Sequence, residues 1–396
     1  MARVKAKVNP KLLVWAREDA GLALAEAAQK LRIQIDLFEA WEEGIERPTI
    51  PQMRRIADLY KRPLALFYLS ERPKGFMVIR DFRRLPGEKL VGYSPELRVS
   101  MRRAQECRRI AFELAEEVDT RFKSFGMRCN LADSPDDVAA RVRDTLSVTI
   151  AEQMQWREAG RAFRAWRERC ENASVLVFQA SSFSPEVARG FSIAEDVLPV
   201  IVVNRKDALS GRTFTLLHEL THILLHQGGV CDLRQSARRS TDEERIEVFC
   251  NAVAGSALVP TEHLRSHPVV IQHRPERLEW DDAEIEALST TFACSREVVV
   301  RRLLALRRAS VGFYEKKREA YEKDLEQIRL RKAKSQKPMK RNIPSETVSA
   351  LGRPFISLAL ETYHQQRITL NDLSDMLGVK SRHIEKIEKR LAVPFE

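Results

Sequence analysis

His218 and His222 enclose Glu219 within the run TFTLLHELTHILLH. Residues four apart on a helix share one face, one turn apart, so these two imidazoles can hold a single zinc ion. The glutamate between them lies beside such a metal and can take a proton from water there. Phe214, Leu216, Leu217, Leu220, Ile223, Leu224 and Leu225 leave the segment few polar positions and predict a buried helix.

Catalytic zinc takes three protein ligands and leaves a fourth position open. His226 extends the histidine stripe, but eight residues of helix span about 12 Å. Two zinc–nitrogen bonds of about 2 Å cannot close that gap. His226 instead reads as a helix-terminal histidine, favourable at the negative end of the dipole. Downstream, DEERIEVFCNAVAGSALVP predicts a second buried helix ending near Pro260, with Glu247, Cys250, Asn251 and Ala254 at helical spacing. An acidic residue in an apolar run needs a partner, because an unpaired buried carboxylate is costly. That makes Glu247 the candidate third ligand. Cys250 is a softer alternative whose apolar flanks suit core packing, and Glu243 and Glu244 fit a solvated helix start. With this set, Glu219 would act as general base and then as proton donor to a leaving amine. His263 and Arg212 are candidates for stabilising the transition state only by closeness in sequence. The β-branched run from Leu198 to Asn204 predicts a buried strand, either pairing with an extended substrate at a sheet edge or serving as a plain core strand.

The stretch from about Val175 to Pro260 resembles the ImmA/IrrE metallopeptidase family, through VLVF, RGFS, PVIVVN, RTFTLLHELTHILLH and EVFCNAVAGSALVP. The later segment ALSTTFACSREVVVRRLLALR resembles the family's helical end. The resemblance implies His218, His222 and Glu247 as zinc ligands and Glu219 as catalytic residue. Thr221 stands where the family most often has glycine. Members act as regulatory proteases, and several cleave a helix-turn-helix repressor, so limited proteolysis of a protein substrate is implied.

Short helices are predicted over residues 9–21, 23–31, 34–43, 51–60 and 63–69, with Gly21 and Gly44 as stops. This segment resembles the XRE-type repressor domain, with Trp41, Glu42, Gly44 and Pro48 at the W-E-x-G-x-x-x-P signature. It departs from that family where DNA would be read. Leu24 replaces a phosphate-holding glutamine, and the recognition helix offers Gln34, Ile35, Asp36, Leu37 and Glu39. Asp36, Glu39, Glu42, Glu43 and Glu46 oppose a polyanion. Beside DNA binding through this helix, the alternatives are a protein-docking face formed with Ile35, Leu37 and Phe38, or a plain core role for these residues. At the other end, RITLNDLSDMLGVKSRHIEKIEKRL has helix–turn–helix form. Its Lys380, Ser381, Arg382, His383 and Lys386 are the candidate DNA contacts.

Between these regions a loop is expected at residues 81–86 and helices at 94–118, 134–145 and 151–170. The last carries Trp156, Phe163 and Trp166 as packing residues. No regular repeat is visible.

The chain has 396 residues, a net charge of +11 and a pI near 9.4, which favours acidic partners such as nucleic acid. Arg98–Arg109 and 316–341 are the basic stretches, expected as solvated helix or linker. The six cysteines, Cys107, Cys129, Cys170, Cys231, Cys250 and Cys294, form no CxxC pair, so no disulfide frame and a reducing compartment are expected. With no signal peptide and no apolar run near the ~20 residues that span a bilayer, a cytoplasmic location without membrane partners is expected.

A mostly α architecture with a small mixed α/β zincin-like peptidase domain follows. The expected divisions are an XRE-like helix-turn-helix domain (1–74), a helical connection (75–170), the peptidase domain (171–310), a basic helical linker (311–342) and a small helical C-terminal domain (343–396). The fused arrangement resembles bacterial regulators, some of which look like antitoxin-type partners of a ribonuclease-like toxin. It implies a Zn2+-dependent endopeptidase that cleaves a repressor or antitoxin in a stress-response or toxin–antitoxin setting. The alternative is a DNA-binding repressor or antitoxin that binds a partner toxin, its peptidase fold serving as scaffold or sensor. Repressor domains commonly pair on symmetric operators, which leaves a homodimer open.

Overall fold

The computed structural model describes residues 5–60, 62–72, 80–81, 94–226, 229–231, 241–334 and 341–392. The loop expected at 81–86, beyond Asp81, and residues 335–340 of the basic stretch lie outside the described residues. So does the side chain of Cys231. The chain is mostly helical with one small mixed sheet, and it divides into two compact units.

The first unit covers residues 1–78 and 87–103. It contains α1 (Pro10–Asp19), α2 (Leu24–Leu31), α3 (Ile35–Glu42), α4 (Ile50–Tyr60) and a 3-10 turn at Leu64–Tyr68. Asn9 caps α1, its side chain accepting from Lys11 N. Leu13, Phe38, Trp41, Met53, Ile56, Tyr60 and Phe67 form the core. Glu42 is not a solvent-facing acid as the sequence suggested: its side chain is 6% exposed and binds Arg17 at 2.8 Å. Gly44 takes a left-handed φ of 78° after α3, a conformation that penalises any side chain. Phe38 is core, whereas Ile35 and Leu37 are 44% and 38% exposed.

The long helix α5 (Pro95–Glu117) belongs to the first unit up to Arg103 and to the second from Ala104. Its arginines are not simply solvated. Arg102 binds Asp19 at 2.7 Å, while Arg108 donates to the carbonyls of Leu198 and Val197 at 3.0 and 2.9 Å.

In the second unit, α6 (Pro135–Thr145), α7 (Ile150–Trp156) and α8 (Ala159–Asn172) precede the sheet. The single helix expected at 151–170 is broken at Arg157, whose φ of 50° ends α7. The sheet order is β1-β5-β3-β4-β2, with β1 (Arg80–Asp81), β2 (Leu176–Ala180), β3 (Gly190–Ile193), β4 (Val200–Asn204) and β5 (Gly229–Cys231). The strand expected near Leu198–Asn204 is β4, and it is not an edge. It pairs in parallel with β2 and antiparallel with β3, so its backbone is already hydrogen-bonded on both sides and cannot receive a substrate strand.

Two helices, α9 (Leu209–Leu224) and α10 (Thr241–Leu258), pack together, with α9 against β3 and β4; α10 is buried in its second half, whereas Asp242, Glu244, Arg245 and Val248 are exposed. Every residue of α9 from Thr213 to Leu224 is buried, as expected for a helix apolar on all sides. Shorter helices follow: α11 (Thr261–Arg265), α12 (Pro268–Gln272), α13 (Asp282–Thr291) and α14 (Arg296–Ala305), then the long α15 (Val311–Lys334). The last helices are α16 (Ile343–Leu351), α17 (Arg353–His364), α18 (Leu370–Leu377) and α19 (Ile384–Ala392).

The sheet is covered on both faces. Ile201 and Val203 join the core with α8 and α9. On the opposite side, Phe178 of β2 meets Phe355 of α17 edge-on, ring centroids 6.1 Å apart. Gln179 and Arg167 donate to the Ser349 carbonyl of α16 at 3.0 and 2.7 Å. Among the described residues no helix is long and apolar enough to cross a membrane, and five cysteines are free thiols.

Candidate metal centre

α9 and α10 lie side by side and bring their buried polar residues together. The Nε2 atoms of His218 and His222 are 3.1 Å apart. The Glu247 carboxylate on α10 faces both, with Oε2 3.6 Å from His218 Nε2 and Oε1 3.5 Å from His222 Nε2. The three side chains are at most 2% exposed. One donor atom from each lies within 4.8 Å of the others. Tetrahedral bonds of about 2.0–2.1 Å need donors about 3.3 Å apart, so two imidazoles and a carboxylate at these separations suit zinc. A buried carboxylate beside two imidazoles is the kind of polar cluster that a bound cation or a protonated imidazole would offset.

Several features fix each of these helices locally. The last carbonyls of a helix lack intrahelical partners, and at the end of α10 three side chains supply them. Arg143 donates to Ala257 O at 2.7 Å, Gln153 to Leu258 O at 2.7 Å and Arg302 to Val259 O at 3.0 Å. Phe214, one turn before His218, stacks on its ring with centroids 6.2 Å apart. Thr221 directs its hydroxyl to Leu217 O at 2.8 Å, so the threonine where the resemblance anticipates glycine is satisfied within the helix.

Glu219 is 1% exposed and lies against β3. A Cβ at Gly190 would stand 3.2 Å from Glu219 Oε1, 2.7 Å from Thr215 Cγ2 and 2.9 Å from Val202 O. Only glycine lets the strand approach the helix this closely. Sequence reading passed over Gly190, although a glycine inside a strand is a recognised mark of close backbone approach.

The alternative ligands fall elsewhere. Cys250 is outside the three-residue cluster. Burial, followed by the charges of Glu247 and Glu219, pushes its thiol well above its ordinary pKa, which disfavours the thiolate a metal needs. His226 follows the end of α9 with φ 53° and is exposed. Glu244 is exposed and Glu243 half-buried. Arg212 serves the fold: its guanidinium donates to the carbonyls of Arg205 and Asp207 and to Gln179 Oε1. His263 is half-buried on α11.

The candidate DNA contacts lie apart from this cluster. Lys380, Ser381, Arg382 and Lys386 are exposed, and His383 is half-buried. Ser381–His383 form a 3-10 turn rather than the start of a regular helix. Glu385 and Glu388 share α19 with Lys386 and hold Lys389 and His364 at 2.6 and 2.7 Å.

Residues 170–304 match the family model Peptidase_M78, the IrrE N-terminal-like domain. The match runs from the end of α8 into α14 and contains all three clustered side chains and Glu219. This segment is thus similar to a metallopeptidase domain. No curated protein matches the chain.

Proposed function

We propose that the chain is a zinc-dependent endopeptidase of the ImmA/IrrE type, with His218, His222 and Glu247 as ligands and Glu219 as the catalytic acid–base. The observation that carries this reading is the buried convergence of two imidazoles and one carboxylate within 4.8 Å, inside a segment similar to a peptidase family. A zinc ion held there supplies Lewis acidity toward the scissile carbonyl and lowers the pKa of water. Glu219 takes the proton of the attacking water and passes it to the leaving amine. The apolar walls of α9 exclude bulk water and strengthen these interactions.

The substrate in this reading is a regulatory protein of repressor or antitoxin type. Support comes from the first unit, where α3 exposes Ile35 and Leu37 beside Asp36 and Glu39. An apolar surface edged by acids suits protein docking better than phosphate contact. The test is a cleavage assay on proteins encoded beside this chain's gene, with chelator and with zinc restored. Cleavage at one site, abolished by chelator and recovered with zinc, supports the proposal. Full-length protein that takes up no zinc would overturn it.

A further inference from the structure

α3 is seated in the first unit by one side. Phe38 and Trp41 lie in the core, and Glu42 is tied to Arg17. At about 100° of rotation per residue, Asp36, Glu39 and Glu43 fall on the opposite side in a sector about 60° wide, and all three are exposed. Ile35 and Leu37, also exposed, border that sector on its two sides in the first turn of the helix.

The three carboxylates stand without counter-charge. Glu26 pairs with Lys30 and Glu46 with Lys5, whereas Asp36, Glu39 and Glu43 enter no ion pair among the described residues. Arg32 and Arg47 flank α3 in sequence and lie outside it. Spacings of three and four residues bring like charges together on a helix surface, which destabilises it. Glu39 and Glu43 also lie toward the negative end of the helix dipole, and the last turn of α3 holds no basic residue. The stripe therefore works against the helix that carries it. The apolar side chains beside it gain from being covered. A partner that brings cations between apolar contacts would answer both conditions.

We propose that the outer face of α3 docks a basic amphipathic helix of a partner protein, of the kind that contacts nucleic acid in regulatory proteins. Its arginines or lysines meet Asp36, Glu39 and Glu43, and its apolar side chains lie against Ile35 and Leu37. Charge complementarity selects this occupant, because DNA or RNA would bring like charge to the face. A partner docked by the helix that it lays in a DNA groove is kept from DNA while it is bound. That this partner is also the protein cleaved rests on the proposed peptidase function; the docking chemistry does not.

The probe is a synthetic alanine-based helix that carries an arginine stripe bordered by leucines. It is labelled and titrated with full-length protein by fluorescence anisotropy, with zinc and after chelation. Binding is expected in both metal states, so failure of the peptidase reading leaves this result standing. A peptide with glutamate in place of arginine is expected not to bind. Asp36→Asn, Glu39→Gln and Glu43→Gln together are expected to weaken the arginine peptide roughly tenfold at low salt, as three exposed ion pairs allow. At about 1 M salt the triple variant and wild type should bind alike, whereas Leu37→Ser is expected to weaken binding at both salt concentrations. The triple variant should melt no lower than wild type, since it removes repulsion, so its lost binding is not lost fold. Wild-type affinity in the triple variant would show the peptide held by acids elsewhere on the chain and would overturn the proposal. So would equal binding of the glutamate peptide, or no binding of the arginine peptide at millimolar concentration.

Discussion

Gly190 of β3 and Glu219 of α9 are in contact because Gly190 has no side chain: a Cβ there would stand 3.2 Å from Glu219 Oε1. Gly190→Ala must also push against Thr215 Cγ2 at 2.7 Å and the Val202 carbonyl at 2.9 Å. Overpacking of this kind costs about 1–3 kcal/mol, so a lower melting temperature is expected. Cleavage should fall with zinc content unchanged, because the clash bears on Glu219 and not on the clustered ligands. Thr215→Ala in the same chain should restore part of both losses. An unchanged melt in Gly190→Ala would show that the strand sits farther from the helix.

Replacing Glu219 by glutamine keeps its shape and removes its basicity. Zinc content and thermal stability are expected to stay near wild type. Cleavage should fall about 10²–10⁴-fold, the usual contribution of a positioned acid–base. Cleavage by Glu219→Gln at the wild-type rate would remove Glu219 from the mechanism.

Glu247→Ala deletes one of three clustered donors, each 3.1–3.6 Å from the next. Zinc measured by elemental analysis should drop from one per chain toward zero. The chelator-induced fall in melting temperature expected of wild type should vanish, since binding to the folded state alone raises stability by mass action. Retention of stoichiometric zinc would move the third ligand elsewhere.

Stability should also depend on alkaline pH. Burial pushes the Cys129 thiol up to about 11 and the Cys294 thiol up to about 12, from an ordinary value of 9.0. Each proton is held more tightly in the folded chain than in the unfolded one. The associated stability is complete below about pH 8.5 and drains as pH climbs toward the folded values. Denaturant midpoints are therefore expected to be level at neutral pH and to fall between about pH 9 and 11. Cys129→Ala should flatten the early part of that fall, and an identical curve in the variant would exclude Cys129 as a cause.

α9 is legible in the sequence because His218, His222 and its apolar run occupy one contiguous segment. Glu247 is legible for a related reason, an acid surrounded by Val248, Phe249 and Cys250. Other features depend on distant parts of the chain meeting. The break at Arg157 rests on a left-handed backbone at a non-glycine residue, which no periodicity announces. The β-branched run marks β4 as buried, but its two neighbours are set by pairing across the sheet, which its own residues do not announce. The donors at the end of α10 come from Arg143, Gln153 and Arg302, up to 114 residues away. Glu42 reads as a surface acid until Arg17, 25 residues earlier, is seen to hold it.

The contact between Phe178 and Phe355 ties residues 343–364 to the peptidase sheet. Phe355 is 1% exposed, and removing such a side chain costs about 3–5 kcal/mol. Phe355→Ala should lower the melting temperature of the second unit and expose hydrophobic surface that binds a reporter dye. A melt unaltered by this change would show that the C-terminal helices are dispensable to the sheet.

That same packing sets an order of events during synthesis. A nascent chain folds its earlier parts first while synthesis adds about 5–20 residues per second. Here β2 to β4 emerge long before Phe355, so one face of the sheet stays uncovered while ~150 further residues are added. Exposed apolar surface of this kind attracts chaperones and other nascent chains. The metal cluster, built from residues 218–247, is complete in sequence before the sheet behind it is closed. A metal bound by these three residues, as proposed, would be able to hold α9 against α10 before the last helices arrive.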